Sequence, residues 1–485
     1  MYKYLKMKKL IYLLAIIGST SMMTSCDNIL DKEPLSQIID ESVDTTVAFT
    51  ADDAEAAMAA VYSGMKTSQA ELFMLDHFVN GDAQSDNCYA GADNPDNFQI
   101  DDYKISSTNR NVSRDWAYFF GLIGTCNKVI DATPNAEGID PGRRDEIIGE
   151  ASFIRGYLYF GMVQLWGGVP IVTKPVPEIT SDNFAEVYSI LYPDSKTKEE
   201  VYAQIISDLT TAVNQAPTAY GPTKMRATKA AAHAVLAKVY ATNQPADWNK
   251  VNEHCDAVIA SGFSLLPVYE HLWDGNHENS AEAIFELDCT NWTTGGNWGS
   301  SMFFGTDWKK FNTPTHDLVN LYDAEGDAVR KASSIKFQKI TSWTDVNWDI
   351  NNYPFCYKMR NTAGSQNQLL IRLSDIYLLK AEAQTELGQL DATSGAQFYV
   401  NLVRNRVNLA NTTATTTDAL RVAIAKERRL ELAFEGHRWY DLKRTGKAIE
   451  TMSALGYTIN ENKLLFPIPQ GERDKNINLK QNPGY

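Results

Sequence analysis

Three features of this sequence predict a mainly α protein. Apolar residues recur every three or four positions in several segments, the spacing of one helix face. Two of these segments run on into a second helical stretch after a short break, as paired helices of tetratricopeptide type do. Between them, residues 264–368 show no long stripe and are rich in Asn, Gly, Thr and Trp, which predicts a loop-rich region with a few short strands. At 485 residues, 44% of them hydrophobic and 22% charged, the chain can bury a sizeable core and is not a disordered one.

The amino terminus comes first. Lys3, Lys6, Lys8 and Lys9 precede the apolar run Leu10 to Gly18, which is too short to cross a bilayer and has the layout of a secretory signal. It leads to Thr24-Ser25-Cys26, which resembles a bacterial lipobox with Met23 where Leu is more usual. Residues 1–25 are therefore expected to be a lipoprotein signal peptide, Cys26 the lipidated residue, and 26–40 a polar tether to the body at 41–485. Removing the leader takes away four lysines and no acids, so the formal charge goes from −15 to −19. Such an acid excess argues against nucleic acid, whose phosphates need a basic surface. Without Cys26 five cysteines remain, an odd number with no CxxC pair, so neither a disulfide framework nor a zinc cluster is expected.

Along the body, residues 80–102 read as a loop rich in Asp and Asn around Cys88-Tyr89. In 143–166 a stripe of Ile147, Ala151, Ile154, Leu158, Met162 and Leu165 predicts a long helix. Val201, Ile205, Leu209 and Ala212 predict another, and Ala232, Val235, Leu236 and Val239 a third, followed by a second helix after Trp248. Ala283 to Asp288 reads as a strand. Leu369, Leu373, Ile376, Ala383 and Leu387 place a helix over 369–388 with Gly388 as its stop, continued by a helix from Ala396 through Arg404. The paired helices thus span about 141–262 and 369–450. In 420–434, Leu420, Ala423, Leu430 and Phe434 share a face with Glu427. A buried carboxylate needs a partner, and Arg428, Arg404 and Arg438 are the candidates.

Searches for reactive chemistry return little. There is no His-Glu-x-x-His, no phosphate-binding loop and no Gly-x-Ser-x-Gly, and Gly295-Gly296-Asn297-Trp298-Gly299 reads as a flexible turn. The seven histidines are scattered, with no two at i, i+4, and read as surface or capping residues rather than ligands. No cofactor is called for. The run Asp82, Asp86, Asp93, Asp96, Asp101 and Asp102 offers oxygen ligands to a hard cation such as calcium, at spacings unlike an EF-hand. The positive signal is tryptophan. Six of the ten (Trp273, Trp292, Trp298, Trp308, Trp343 and Trp348) fall within about a sixth of the chain. Trp and Tyr faces suit the C–H faces of pyranose rings, and nearby Asn, Asp and Thr can bond hydroxyls. Trp116, Trp166 and Trp439 sit in helical stripes and read as core.

Five ordered segments resemble the SusD/RagB family of outer-membrane nutrient-binding lipoproteins. They are Cys26-Asp-Asn-Ile-Leu-Asp-Lys-Glu-Pro34; Glu150 to Phe160 with Leu165-Trp-Gly-Gly-Val-Pro170; Leu370 to Ala383; Lys426 to Arg438 through Asp441-Leu-Lys-Arg444; and Phe466-Pro-Ile-Pro469 with Asn476 and Gln481 to Tyr485. The resemblance implies tetratricopeptide-like helix pairs packed against a loop-rich ligand-binding half. It also implies a lipid-anchored place on the outer membrane, exposed at the cell surface. There the protein would act as a lid over a SusC-like TonB-dependent transporter, to which it hands glycan. The family's shared motifs are scaffold, so ligand contacts are not carried over by position.

From residues and resemblance together, we expect a non-enzymatic lipoprotein that captures oligosaccharide or polysaccharide on an aromatic platform. Tyr89, Trp292, Trp298 and Trp308 are the candidate contacts, with Trp343 and Trp348 behind them and Asp82, Asp86 and Asn87 as polar partners. A peptide-binding member of the family, a transporter scaffold without its own ligand, and a hydrolase are the alternatives.

Overall fold

A computed structural model describes residues 48–66, 71–91, 94–289, 297, 299–304, 310–341 and 344–485. The expected leader, Cys26 and the tether lie outside the described residues; a compact body runs from Phe49 to Tyr485.

Helix α1 (Ala51–Met65) opens on a reciprocal cap in which the Thr50 hydroxyl accepts from the Asp53 N–H and the Asp53 carboxylate from that of Thr50. After α2 (Pro95–Asp101), α3 (Arg110–Ala132) is capped by Asn109 and buries Val112, Trp116, Phe119, Ile123 and Cys126. In α4 (Pro141–Trp166) all six residues of the predicted stripe are buried. Short α5 (Phe184–Leu191) precedes α6 (Lys198–Gln215), which a Thr197/Glu200 box caps and which buries Val201, Ile205, Leu209 and Ala212. Then come α7 (Lys229–Thr242) and α8 (Trp248–Ala260). The loop-rich part holds α9 (Gly299–Phe303), α10 (His316–Glu325) and α11 (Ala328–Ser334). The carboxy-terminal part holds α12 (Leu373–Glu386), α13 (Ala396–Arg406), α14 (Thr417–Glu431), α15 (Arg438–Arg444), α16 (Ala448–Ala454) and α17 (Gln470–Lys475).

The long helices stack in succession: α4 on α6, α6 on α7, α7 on α8, α8 on α12, and α12 on both α13 and α14. This is the paired-helix layout the sequence predicts. Strands are few among the described residues and form two-stranded antiparallel sheets. β1 (Cys88–Tyr89) pairs with β3 (Thr313–Pro314), β2 (Ala283–Leu287) with β6 (Gln368–Arg372), and β4 (Ile335–Gln338) with β5 (Tyr353–Cys356). Trp116, Trp166 and Trp439 are buried as expected. Segments far apart in sequence close the core around Trp166. Its Nε1 donates to the Pro467 carbonyl at 3.2 Å, Phe466 N donates to Leu165 O at 2.7 Å, and the Asn482 amide donates to both Trp166 O and Phe466 O.

Four local expectations need correction. Residues 80–102 are not one loop: they contain a π-helical turn (Val79–Ala83), β1 and α2. The helix expected from 369 starts at Leu373, because residues 368–372 pair with β2 before the chain turns helical. The helix expected to reach Phe434 stops at Glu431, and Phe434 sits at φ +65°. Gly299, read as part of a flexible turn, opens α9. Gly388 ends its helix as predicted, at φ +76°. The five described cysteines are free and buried, and burial pushes the Cys126, Cys289 and Cys356 thiols up to about 12.

Candidate functional site

A buried charged seam sets where the loops sit. Glu427 is fully buried and accepts from Arg330 Nη1 at 2.7 Å and Arg404 Nη1 at 2.9 Å. Of its three predicted partners Arg404 is correct. Arg428 instead bonds Asp375 and Asp441, and Arg438 bonds Asp86. One turn on, Glu431 accepts from Arg330, Arg372 and Arg406. Arg372 also reaches Glu282 and Glu435, and Lys358 donates to Glu435 at 2.6 Å. Arg330, Lys358 and Glu282 belong to the loop-rich part and Glu427, Glu431 and Glu435 to α14 and the turn after it. Buried ions of opposite charge must meet, so the seam locks loops to helices.

On that base the loops converge at Tyr89. Pairing of β1 with β3 brings Tyr89 beside Thr313. The Tyr89 hydroxyl donates to Asp345 Oδ2 at 2.9 Å and lies 3.3 Å from the Tyr353 hydroxyl, which donates to the same Asp345 oxygen at 2.5 Å. Thr313 Oγ1 is 3.4 Å from Tyr353 Oη, and Gly91 N donates to Lys310 O. A Cβ on Gly91 would lie 2.7 Å from Thr313 Oγ1 and 2.9 Å from Tyr353 Oη, so only glycine allows this approach. Burial, reinforced by Asp345, raises both phenol pKa values, with Tyr353 adding to the rise at Tyr89, so both hydroxyls stay protonated donors. Trp348 is half-buried beside this knot. His316 stacks on its ring at 3.6 Å, and its Nε1 donates to Pro314 O at 3.0 Å.

Of the predicted contacts, Tyr89 and Trp348 are therefore brought into one region, Tyr89 as a buried strut and Trp348 packed half-buried at its edge. Trp292, Trp298, Trp308 and Trp343 lie outside the described residues. Of the residues flanking them, Lys310 and Asp345 lie within the Tyr89 knot, whereas Asn297 N donates to Gly364 O at 2.8 Å and its amide to Gln366 O. Trp273 is buried beneath Lys358 at 4.6 Å and serves the seam.

The polar partners Asp82, Asp86 and Asn87 are corrected: all three are buried and tied to the scaffold. Asp82 Oδ2 accepts from Gly436 N at 2.7 Å, and burial pushes this carboxyl up to about 7. Asp86 takes a two-pronged contact from Arg438, at 2.7 and 2.8 Å, and pairs with Arg429, which also bonds Asn87 Oδ1. Nor does the aspartate run gather around one point. Asp96 pairs with Arg110, Asp101 accepts from Ala90 N and Asp102 pairs with Lys104; Asp93 lies outside the described residues. Sequence reasoning missed Tyr353, Asp345 and Thr313. The alternation of Tyr353, Phe355 and Tyr357 was the available signal for a strand there.

Two family models match the chain, one described as "SusD family" over residues 350–485 and one as "Starch-binding associating with outer membrane" over residues 30–241. A SusD-like protein of Formosa agariphila, P2, is 27% identical with both chains covered in full. A solved laminarin-binding SusD-like protein is 26% identical with a TM-score of 0.75, over 90% of this chain and all of that one. Surface glycan-binding protein A of Bacteroides thetaiotaomicron, solved with laminarihexaose, shares the fold at a TM-score of 0.76 and 20% identity, over 89% of this chain and 99% of its own. With matches at both ends of the chain and a like fold along nearly all of it, this protein belongs to the SusD family.

Proposed function

We propose that this protein captures oligosaccharide or polysaccharide without cleaving it and delivers the glycan to a TonB-dependent outer-membrane transporter, held at the cell surface by a lipid on Cys26. The observation that carries the reading is the likeness to a laminarin-binding protein along 90% of this chain and the whole of that one. The starch-binding, outer-membrane description of the model matching residues 30–241 supports the same ligand class and place. In this reading the aromatic residues of 290–348 offer flat apolar faces to sugar rings, on a base whose described segments are held by the Tyr89–Tyr353–Asp345 knot and the charged seam. A preorganised base loses little entropy on binding.

Calorimetry of the purified protein against laminarin, starch and an acidic polysaccharide tests the proposal. Saturable binding to a neutral glycan is expected, weakened about tenfold by Trp292→Ala or Trp298→Ala, which is about 1.4 kcal/mol. Flat traces for every glycan beside heat from a peptide mixture would replace this reading with peptide capture.

A further inference from the structure

His271 and His277 stand six residues apart, and the turn between them brings their rings together. Gly275 takes φ +69°, Asn276 N donates to Asp274 Oδ1 at 2.8 Å, and the two imidazoles stack with centroids 3.8 Å apart and planes 9° apart. His277 Nδ1 lies 2.8 Å from Asp274 Oδ2. One ligand atom from each of His271, Asp274 and His277 lies within 4.8 Å of the others, the one such grouping of His, Cys, Asp or Glu among the described residues. We propose that these three side chains form an open, three-ligand site for a borderline divalent cation of the Zn2+ or Ni2+ class.

The donor set decides the class of ion. Two imidazole nitrogens and one carboxylate suit zinc and its neighbours, whereas calcium and magnesium take oxygen ligands throughout. A tetrahedral ion with bonds of about 2.0–2.1 Å holds its ligands about 3.4 Å apart, so closure asks for a shift of little over 1 Å and for one imidazole to turn out of the stack, because each ring bonds a metal in its own plane. His277 is exposed enough to make that shift. The backbone on either side is already held. Tyr269 is buried with its hydroxyl on Glu431 O, and Trp273 is buried over the charged seam. Downstream, the Glu278 carboxylate accepts from Asn367 N at 2.6 Å, and the Glu286 carboxylate accepts from Asn279 N at 2.7 Å. Those carboxylates also make the surroundings favourable to a cation. A bound ion would staple the turn Tyr269–Leu272 to the segment 274–278. The residues are separate from those offered to glycan, so the two proposals stand or fall independently.

The test uses the purified protein, free of any histidine tag and stripped with EDTA, titrated with ZnCl2 and CaCl2 by calorimetry and followed by thermal unfolding. One equivalent of Zn2+ should bind and raise the unfolding midpoint by about 3 °C at hundredfold excess over Kd. H271Q and H277Q should each weaken Zn2+ binding at least tenfold, while H316Q leaves it unchanged. D274N, which keeps both rings, should weaken it too, and serves if either glutamine variant loses the parent's circular dichroism. No saturable Zn2+ heat, unchanged affinity in the folded variants, or an equal response to Ca2+ would overturn the proposal.

Discussion

Glu431 is fully buried and receives Arg330, Arg372 and Arg406. Burial alone would raise its pKa, yet the three guanidiniums hold the carboxyl well below the usual range. Removing its charge leaves buried cations without their counterion, which costs more than the pair contributes when intact. Glu431→Gln should therefore destabilise the protein by about 3–5 kcal/mol in urea unfolding; a loss under about 1 kcal/mol would mean that water screens the seam. Part of this seam is legible in sequence, since a glutamate inside an apolar stripe demands a partner, and Arg404 is one helix away. Arg330 was not, because it lies 97 residues upstream of Glu427 and arrives only by tertiary packing. The same applies to Asp82, which sequence marks as an exposed polar contact and the fold buries against Gly436, 354 residues on.

The π-helical turn Val79–Ala83 crosses the bend after α14 at backbone contact. A Cβ on Gly81 would stand 2.2 Å from Gly436 O, and one on Gly436, itself at φ +75°, would stand 2.6 Å from His77 Nε2. Gly81→Ala and Gly436→Ala should each cost about 2–4 kcal/mol, with Gly471→Ala, which meets nothing within 4 Å, as the neutral control. Thermal unfolding of the three variants checks this, and equal midpoints would refute the close crossing. At this scale the long helices were readable because a 3.6-residue period reports burial of one face directly. Short elements were not. Residues 368–372 continue the apolar stripe of the helix that follows, and only their pairing with β2 makes them a strand. The short elements of 79–101 likewise depend on packing rather than on period.

Acid–base behaviour belongs to the whole molecule. Burial lowers His77 and His254 to about 4 and His437 to about 3, with Lys238 adding to the effect at His77 and His437 and His233 at His254. The unfolded chain takes up these protons near 6.5, so this set loses stability as pH falls from 6.5 towards 4. Burial does the opposite to Asp82 and Asp101, raised to about 7, and to Asp115, raised well above its usual value with neighbouring Asp76 adding to the effect. These keep protons that the unfolded chain has lost, so their contribution fades as pH rises from about 4 to 7. The two sets oppose one another, and urea stability should be nearly level from about pH 4 to 6.5. Below about pH 4 the lowered carboxyls, buried Asp375, Glu431, Glu435 and Asp441 among them, dominate, and stability should drop. Asp82→Asn should tilt the plateau upward with pH by up to about 1.4 kcal/mol per unit; an unchanged slope would mean that Asp82 is ionised. Sequence alone determined that this is a helix-pair protein with six of its ten tryptophans gathered in an interrupting region without helical period, because periodicity and composition are local properties of the chain. Which acids lie buried, which arginines they meet, and that two histidines six residues apart face one another were decided by the tertiary structure. Those outcomes depend on contacts between distant segments and on a turn geometry that no helical or strand period records.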